Sequence, residues 1–201
     1  MEKPFSLLEK AALCAMVICV LLSVCTFMKD GESVKNAVLR LHVIANSDTA
    51  EDQTLKLQVR DALLKQSSAL AAAATKQQAA QTLEAQLETL KNAAKRAVAQ
   101  QGFSYDVAVS LEHTAFPTRT YGDVTLPAGE YDALRVVIGE GRGQNWWCVM
   151  FPSVCVGAAR KRGMDDLLSD NELNVIENKP RYRIKFKLVE WFEYVRSRLG
   201  F

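Results

Sequence analysis

The sequence lacks a strong charge of either sign. Its 25 Lys and Arg residues nearly balance 23 Asp and Glu residues, leaving a formal charge of +2. This balance gives no support to a nucleic-acid-binding protein, which is usually strongly basic. Cysteine is scarce too, because five in 201 residues are too few for a small disulfide-built domain. Hydrophobic residues make up an ordinary 49%, which excludes a wholly disordered chain, and the length favours one domain.

Recognisable catalytic and metal-binding patterns are also missing. The two histidines, His42 and His113, lie in no HExxH or HxH pattern, and no serine stands in a G-x-S-x-G elbow. Loop 139–145 is rich in glycine but lacks the GK[ST] ending of a phosphate-binding loop. We therefore predict no cofactor and no metal site, and we interpret both histidines as structural. A zinc site with a carboxylate is the alternative.

The apolar residues are concentrated in one uncharged run, residues 11–28. A helix of this length covers roughly 27 Å, close to the thickness of a bilayer core. We predict an N-terminal apolar export or anchor helix, so that residues 1–28 are a signal peptide or signal anchor and residues 29–201 one extracytoplasmic domain. The alternatives are lipidation of Cys25 and a buried core helix.

Removing this run changes what the cysteines imply. Cys14, Cys19 and Cys25 lie inside it, so only Cys148 and Cys155 remain in the predicted exported domain. An even pair in an exported domain favours a disulfide. Two unlinked, buried thiols are the alternative.

The predicted domain begins as a strand followed by two helices. Branched apolar residues predict a strand over 38–45, and Asp48 with Glu51 indicates the cap of a helix over 50–66. Good helix formers fill residues 67–101, and Gly102 is placed to end the second helix. One apolar side of this helix repeats at helical spacing and is expected to face the core: Leu83, Leu87, Leu90, Ala94 and Val98.

From residue 103 the period of the apolar residues changes to two, which predicts strands over 103–112, 131–138 and 146–151. We interpret the last two as a hairpin joined by the glycine-rich loop. Helical spacing after Pro180 predicts a closing helix. The predicted fold class is α+β: a small antiparallel-rich sheet of about four strands, two helices inserted after the first strand, and a C-terminal helix.

Two neighbouring features suggest a surface for a protein partner. Trp146 and Trp147 are adjacent, so on a strand their side chains must point to opposite faces. An exposed tryptophan near Arg142 would suit a protein-contact hot spot. The candidate partner-binding residues lie in this loop and strand or at the start of the first predicted helix: Asn46, Asp48, Glu51, Glu140, Arg142, Asn145, Trp146 and Trp147.

Four long stretches follow one another in a distinctive order. They are LRLHVIANSDTAEDQTLKLQVRDALL (39–64), FPTRTYGDVTLPAGEYDALRVVIGEG (116–141), NWWCVMFPSVC (145–155) and a basic-to-aromatic tail near 183–192. Together they resemble the stage II sporulation protein R family of endospore-forming bacteria, and they span most of residues 39–192.

The resemblance implies a signalling protein, not an enzyme. Such a protein is exported from the forespore towards the space between the two membranes, where it activates a membrane-embedded aspartic protease. That protease removes the pro-sequence of sigma-E in the mother cell. Two hypotheses from other classes stay open: a cell-envelope enzyme such as a peptidoglycan hydrolase, using His42 or His113, and a passive envelope-binding domain.

Overall fold

The structure is a computed structural model that describes residues 7–122 and 124–152. Beyond these ranges it describes six single residues, namely Leu168, Ser169, Leu173, Ile176, Glu190 and Trp191. The C-terminal helix predicted after Pro180 falls almost wholly outside the described residues, and so does Cys155.

Three α-helices, a short 3-10 helix and six strands make up the described part of the chain. In order they are α1 (Leu7–Ala37), β1 (Leu39–Ile44), α2 (Ala50–Gln66), the 3-10 helix Ser68–Ala72, α3 (Lys76–Gln100), β2 (Val107–Phe116), β3 (Arg119–Tyr121), β4 (Val124–Leu126), β5 (Gly129–Ile138) and β6 (Asn145–Phe151). The predicted α+β class and the two helices inserted after the first strand are confirmed.

Helix α1 contains the apolar run and continues beyond it. Residues 11–20 are all exposed, so the alternative of a buried core helix is wrong. The end of α1 packs into the domain, where Val34 is fully buried. In the described part of the chain, no helix meets the length and hydropathy needed to cross a bilayer. The boundary at residue 28 stays a prediction.

Four strands form one mixed sheet in the order β2-β5-β1-β6. β1 is parallel to β5 and antiparallel to β6, while β2 is antiparallel to β5. β3 and β4 pair with each other as a separate hairpin. The number of strands in the main sheet matches the prediction, but the sheet is mixed because its two central strands are parallel.

The predicted hairpin of β5 and β6 is wrong, because β1 lies between these strands. Loop 139–145 instead crosses the end of β1, where the amides of Arg142 and Gly143 donate to the carbonyls of Asn46 and Ala45 at 3.1 and 2.9 Å. A central strand offers two edges for hydrogen bonding. With β1 between them, β5 and β6 each gain a backbone partner, and a further apolar strand is buried.

The two faces of the sheet bury different side chains. One face packs against α2 and α3 through apolar residues such as Leu41, Val136 and Leu90. The other face meets the end of α1 and the β3–β4 hairpin. Arg40 and His42 point to this second face, where both are buried. The second face is therefore the chemically unusual one.

The helix ends are partly as predicted. Gly102 ends α3 with a φ of +79°, a left-handed conformation that glycine adopts readily. The predicted cap of α2 is wrong: Thr49 occupies the cap position, and its hydroxyl accepts a hydrogen bond from the Asp52 amide. Asp48 instead accepts a hydrogen bond from the Gln144 amide at 2.7 Å, since that donor lies within reach of its carboxylate.

Candidate functional site

The candidate partner-binding residues are brought together chiefly at one end of the sheet. Turn 46–52, which runs from the end of β1 into the first turn of α2, lies against loop 139–145, which runs from the end of β5 to the first residue of β6. We call these two segments the clamp. The Asn46 side chain joins them, because its Oδ1 accepts from the Glu140 amide at 3.0 Å and its Nδ2 donates to Asp52 Oδ2 at 2.8 Å. The single side-chain amide of Asn46 thus bonds to both halves of the clamp.

A second set of bonds closes the clamp on the side of α2. The Lys56 ammonium donates to the Gln144 carbonyl at 2.9 Å, and Gln53 Nε2 donates to the Ser47 carbonyl at 2.8 Å. Lys56 is only 5% exposed, and burial lowers its pKa while the charge of Asp48 acts in the opposite direction. The Lys56 bond joins the loop to α2, and the Gln53 bond joins the turn to α2.

Two glycines allow the halves of the clamp to approach closely. A Cβ atom at Gly139, whose φ is +58°, would lie 2.3 Å from Asn46 Oδ1. A Cβ atom at Gly143 would lie 2.2 Å from the Ser47 carbonyl oxygen. Both distances are too short for a side chain, so the glycine-rich loop is explained by packing and not by phosphate binding.

Asp52 is the buried anion of the clamp, with 3% of its surface exposed. Its Oδ2 accepts from Ser47 Oγ at 2.6 Å as well as from Asn46. Burial acts to raise the pKa of this carboxyl group, but hydrogen bonds from Ser47, Asn46 and Tyr105 outweigh burial and hold the pKa below its usual range. Asp52 also lies in the first turn of α2, where the helix dipole stabilises a negative charge.

The rim of the clamp carries the accessible charges. Glu140 and Arg142 form an ion pair at 3.1 Å, with their side chains 65% and 78% exposed. Glu51 is exposed on the first turn of α2. Exposed pairs of this kind contribute little to folding stability. These three side chains therefore remain available to contact another molecule.

The two adjacent tryptophans point to opposite faces of the sheet, as predicted. Trp146 packs against the face covered by the helices, where the Arg60 guanidinium lies 4.5 Å from its ring centroid. Trp147 packs against the other face and stacks on His42. Asn145, which is exposed, holds the same imidazole through a 2.8 Å contact between its Oδ1 and His42 Nε2.

The second face holds an aromatic cluster that the sequence did not predict. The guanidinium of Arg40 lies 4.1 Å from the Phe116 ring centroid and 4.8 Å from that of Tyr131, and it donates to the Tyr121 hydroxyl at 2.5 Å. Ring faces stabilise a cation in this position. The available signal was the alternation of Arg40 and His42 with apolar residues in a buried strand.

The arrangement of the histidines gives no support to a hydrolytic site. His42 and His113 lie on opposite faces of the sheet, since one belongs to the Arg40 face and the other does not. His113 contacts one carboxylate, that of Asp132, at 2.9 Å, whereas His42 contacts an amide. Across the described ranges, no group of three or more His, Cys, Asp or Glu residues is placed to hold a metal ion.

Fold and site together define an α+β domain in which hydrogen bonds join the two halves of the clamp and charged side chains are exposed at its rim. The family model of stage II sporulation protein R matches residues 35–161. A relative of that name from Bacillus subtilis (strain 168) is 31% identical over 181 residues, covering 79% of this chain and 81% of the relative. The chain therefore belongs to the stage II sporulation protein R family. No solved structure matches.

The matched region contains both halves of the clamp, both adjacent tryptophans, and Cys148 and Cys155. The apolar run 11–28 precedes it. Membership of this family indicates a role in sporulation, and it confirms the resemblance predicted from the four sequence stretches.

Proposed function

We propose that this chain is an exported signalling protein of sporulation that activates a membrane-embedded aspartic protease, which then matures pro-sigma-E in the mother cell. Family membership is the observation that carries this proposal. The rigid clamp with its exposed charges also supports a role in binding a partner.

The proposed place of action is the space between the forespore and the mother cell. The apolar run 11–28 supports export, because its side chains over 11–20 are exposed and have no core to enter. The run acts either as a cleaved signal peptide or as an anchor that holds the domain at the membrane. An anchored domain would still meet a receptor across a narrow gap, because confinement raises its local concentration.

The proposed contact surface is the rim of the clamp, with Glu51, Glu140 and Arg142 as the contacting side chains. The rest of the clamp positions them, since Asn46 and Asp48 accept hydrogen bonds from loop amides. Trp147 contributes indirectly. It stacks on His42 and so holds the start of β6 in place. To activate the protease, the surface must bind its active state more tightly than its inactive state.

The test is co-expression of this chain, the protease and pro-sigma-E in a cell that does not sporulate. We expect processing only when this chain is present. Arg142→Ala should reduce processing strongly, because truncating a hot-spot residue costs about 2 kcal/mol or more, which is roughly 30-fold in affinity. Arg119→Ala is the matched control, since Arg119 is exposed on the separate hairpin.

Trp147→Ala should also abolish processing, but it removes a side chain that packs on Phe116 and His42. Its folding is therefore checked by circular dichroism alongside secretion. Full processing by both Arg142→Ala and Trp147→Ala would exclude this surface. Wall or lipid binding without any effect on the protease would instead favour the passive envelope-binding domain.

A further inference from the structure

Strand β2 forms one edge of the sheet, and its hydrogen-bonding pattern shows which backbone groups lie on the open side. The Gly139 amide donates to the Asp106 carbonyl at 2.9 Å, so these opposite residues are a hydrogen-bonded pair. The register continues without a break along β2 and β5. Because such pairs alternate along antiparallel strands, even-numbered residues of β2 bond to β5, and odd-numbered residues point their backbone groups outward.

No hydrogen bond within the described ranges reaches this outer edge. The outward groups belong to five residues that span the strand: Val107, Val109, Leu111, His113 and Ala115. An unpaired row of amides and carbonyls of this length is a template for another strand. The opposite edge strand, β6, differs, because its pairing with β1 contains a register shift and because Cys148 and Val149 take part in further interactions.

Among the described residues, several of the devices that usually protect an edge strand are absent from β2. The strand has ten residues, and it contains no proline, no lysine and no bulge. Its charges are compensated within the chain: Glu112 accepts from Ser110 at 2.6 Å and pairs with Arg135 at 3.7 Å. His113 contacts Asp132 at 2.9 Å. The edge is therefore regular and nearly neutral, which suits a neutral strand as its partner.

We propose that a second copy of this chain pairs with it through β2, antiparallel, so that the two sheets become one continuous sheet of eight strands about a twofold axis. This inference does not depend on the proposed receptor. A twofold axis places β2 of one copy opposite β2 of the other copy. Because this edge is nearly neutral, it favours an identical, equally neutral strand over a charged segment of another protein.

Charge selects the register of the pair. An axis at Glu112 would place that carboxylate directly opposite Glu112 of the second copy, which is destabilising. An axis at Leu111 places Glu112 opposite the uncharged Ser110 of the second copy, which avoids this like-charge pair. It also lets the Leu111 amide of each copy donate a hydrogen bond to the Leu111 carbonyl of the other copy.

A proline substitution at Leu111 tests the proposal, because Leu111 donates no backbone hydrogen bond to β5. Proline is tolerated at such outward positions of edge strands, but it removes the donor that the second copy needs. We expect the full chain in detergent micelles to sediment as a dimer. Leu111→Pro should weaken dimerisation at least about 30-fold, since two symmetric bonds are lost and the ring blocks close approach.

Leu111→Ala is the matched control, because it removes the same packing but keeps the amide donor. It should remain dimeric, and circular dichroism should show both variants folded. A monomeric wild-type chain at about 100 μM, some hundred-fold above a micromolar dissociation constant, would overturn the proposal. So would a Leu111→Pro variant that dimerises as well as Leu111→Ala, because association would then run through another surface such as the apolar helix.

Cross-linking tests the same pair without disturbing its hydrogen bonds. With the axis at Leu111, residue 108 lies opposite residue 114 of the second copy, about 4.5 Å away between Cα atoms, within disulfide range. In a background with serine at the three cysteines of the apolar run, Ala108→Cys combined with Thr114→Cys should give a covalent dimer. Either substitution alone leaves the thiols about 20 Å apart and should not. Equal cross-linking of single and double variants would refute this register.

Discussion

The imidazole of His42 lies almost flat against the indole of Trp147, with ring centroids 3.8 Å apart and planes inclined by 20°. His42 is 7% exposed, and among the described residues its Nδ1 has no hydrogen-bond partner. Arg40 occupies the same face of the sheet. A second positive charge at His42 would therefore be both buried and close to a cation.

The stability of the fold should consequently fall in mild acid. Burial lowers the pKa of His42, with Arg135 and Arg40 acting in the same direction and the Asn145 contact against it. Unfolded His42 takes up a proton near pH 6.5, but folded His42 does so only at lower pH. The contribution of neutral His42 to the free energy of unfolding should thus be complete above about pH 7. It should decrease as the pH falls through about 6.5.

Urea denaturation between about pH 7.5 and 5.5, on either side of the ordinary histidine pKa, measures this slope. His42→Gln should flatten it, because glutamine keeps a polar side chain but does not titrate. His113→Gln is the control, because it removes the other histidine, whose side chain is 63% exposed. An unchanged slope in His42→Gln would assign the effect to another group.

Replacing Asp52 should weaken the clamp from within. Asp52→Asn removes the charge that accepts the hydrogen bonds of Ser47 and Asn46, and we expect a loss of about 2 kcal/mol in the free energy of unfolding. Because the pKa of Asp52 is held low, the stability it contributes is present above about pH 4 and is lost as the pH falls further.

The measurement is the urea midpoint of Asp52→Asn at neutral and acidic pH. Its neighbour Glu51 is exposed on the same helical turn, so Glu51→Gln should change the free energy of unfolding by less than about 0.5 kcal/mol. Equal effects of the two substitutions would mean that burial and hydrogen bonding do not distinguish them.

Gly143→Ala should separate the two halves of the clamp. Its Cβ atom would lie 2.2 Å from the Ser47 carbonyl oxygen, so the loop must move and its bonds to β1 must lengthen. If the rim of the clamp contacts the protease, processing in the co-expression assay should fall. Hydrogen exchange should also show faster exchange of the amides at positions 142 and 143 than in the unchanged chain.

Gly102→Ala provides the comparison for this variant. Gly102 has a positive φ, but no atom lies within 4 Å of the position that its Cβ would take. The substitution should cost about 1 kcal/mol through backbone strain and leave processing intact. Loss of processing in both variants would point to general instability and not to the clamp.

The predicted Cys148–Cys155 disulfide is tested by counting thiols. Cys14, Cys19 and Cys25 are free, while Cys148 is buried in β6 and Cys155 lies outside the described residues. Alkylation of the unreduced, denatured full chain should modify three cysteines, and alkylation after reduction should modify all five. Five modified cysteines without reductant would exclude the bond, which otherwise should stabilise the fold by about 2–3 kcal/mol.

Local features of this fold could be predicted from the sequence, because they depend on neighbouring residues. The bounds of α2 and the glycine stop of α3 follow from helix-forming residues and their breakers. The opposed directions of Trp146 and Trp147 follow from the period of a strand. Family membership was also within reach, since the motifs that carry it are long.

Long-range features could not be predicted in the same way. The apolar patterns of β5 and β6 are compatible with a direct hairpin, and only the position of β1 decides against it. Likewise, Asp48 has the chemistry of a helix cap, but its bond to Gln144 depends on a loop distant in sequence. The burial of Arg40 depends on Phe116, Tyr121 and Tyr131, which no local window connects to it.

The central position of β1 also constrains the time at which the domain becomes complete. Ribosomes make β1 before every other strand, yet its two neighbours lie roughly a hundred residues further along the chain. Pairing over such a separation requires a long loop to close first and is slow. The middle of the sheet can therefore assemble only after nearly all of the described chain has been synthesised. Until then β1 lacks both of its partner strands, so a chain that is exported as proposed, and held open during translocation, would reach the far side unfolded.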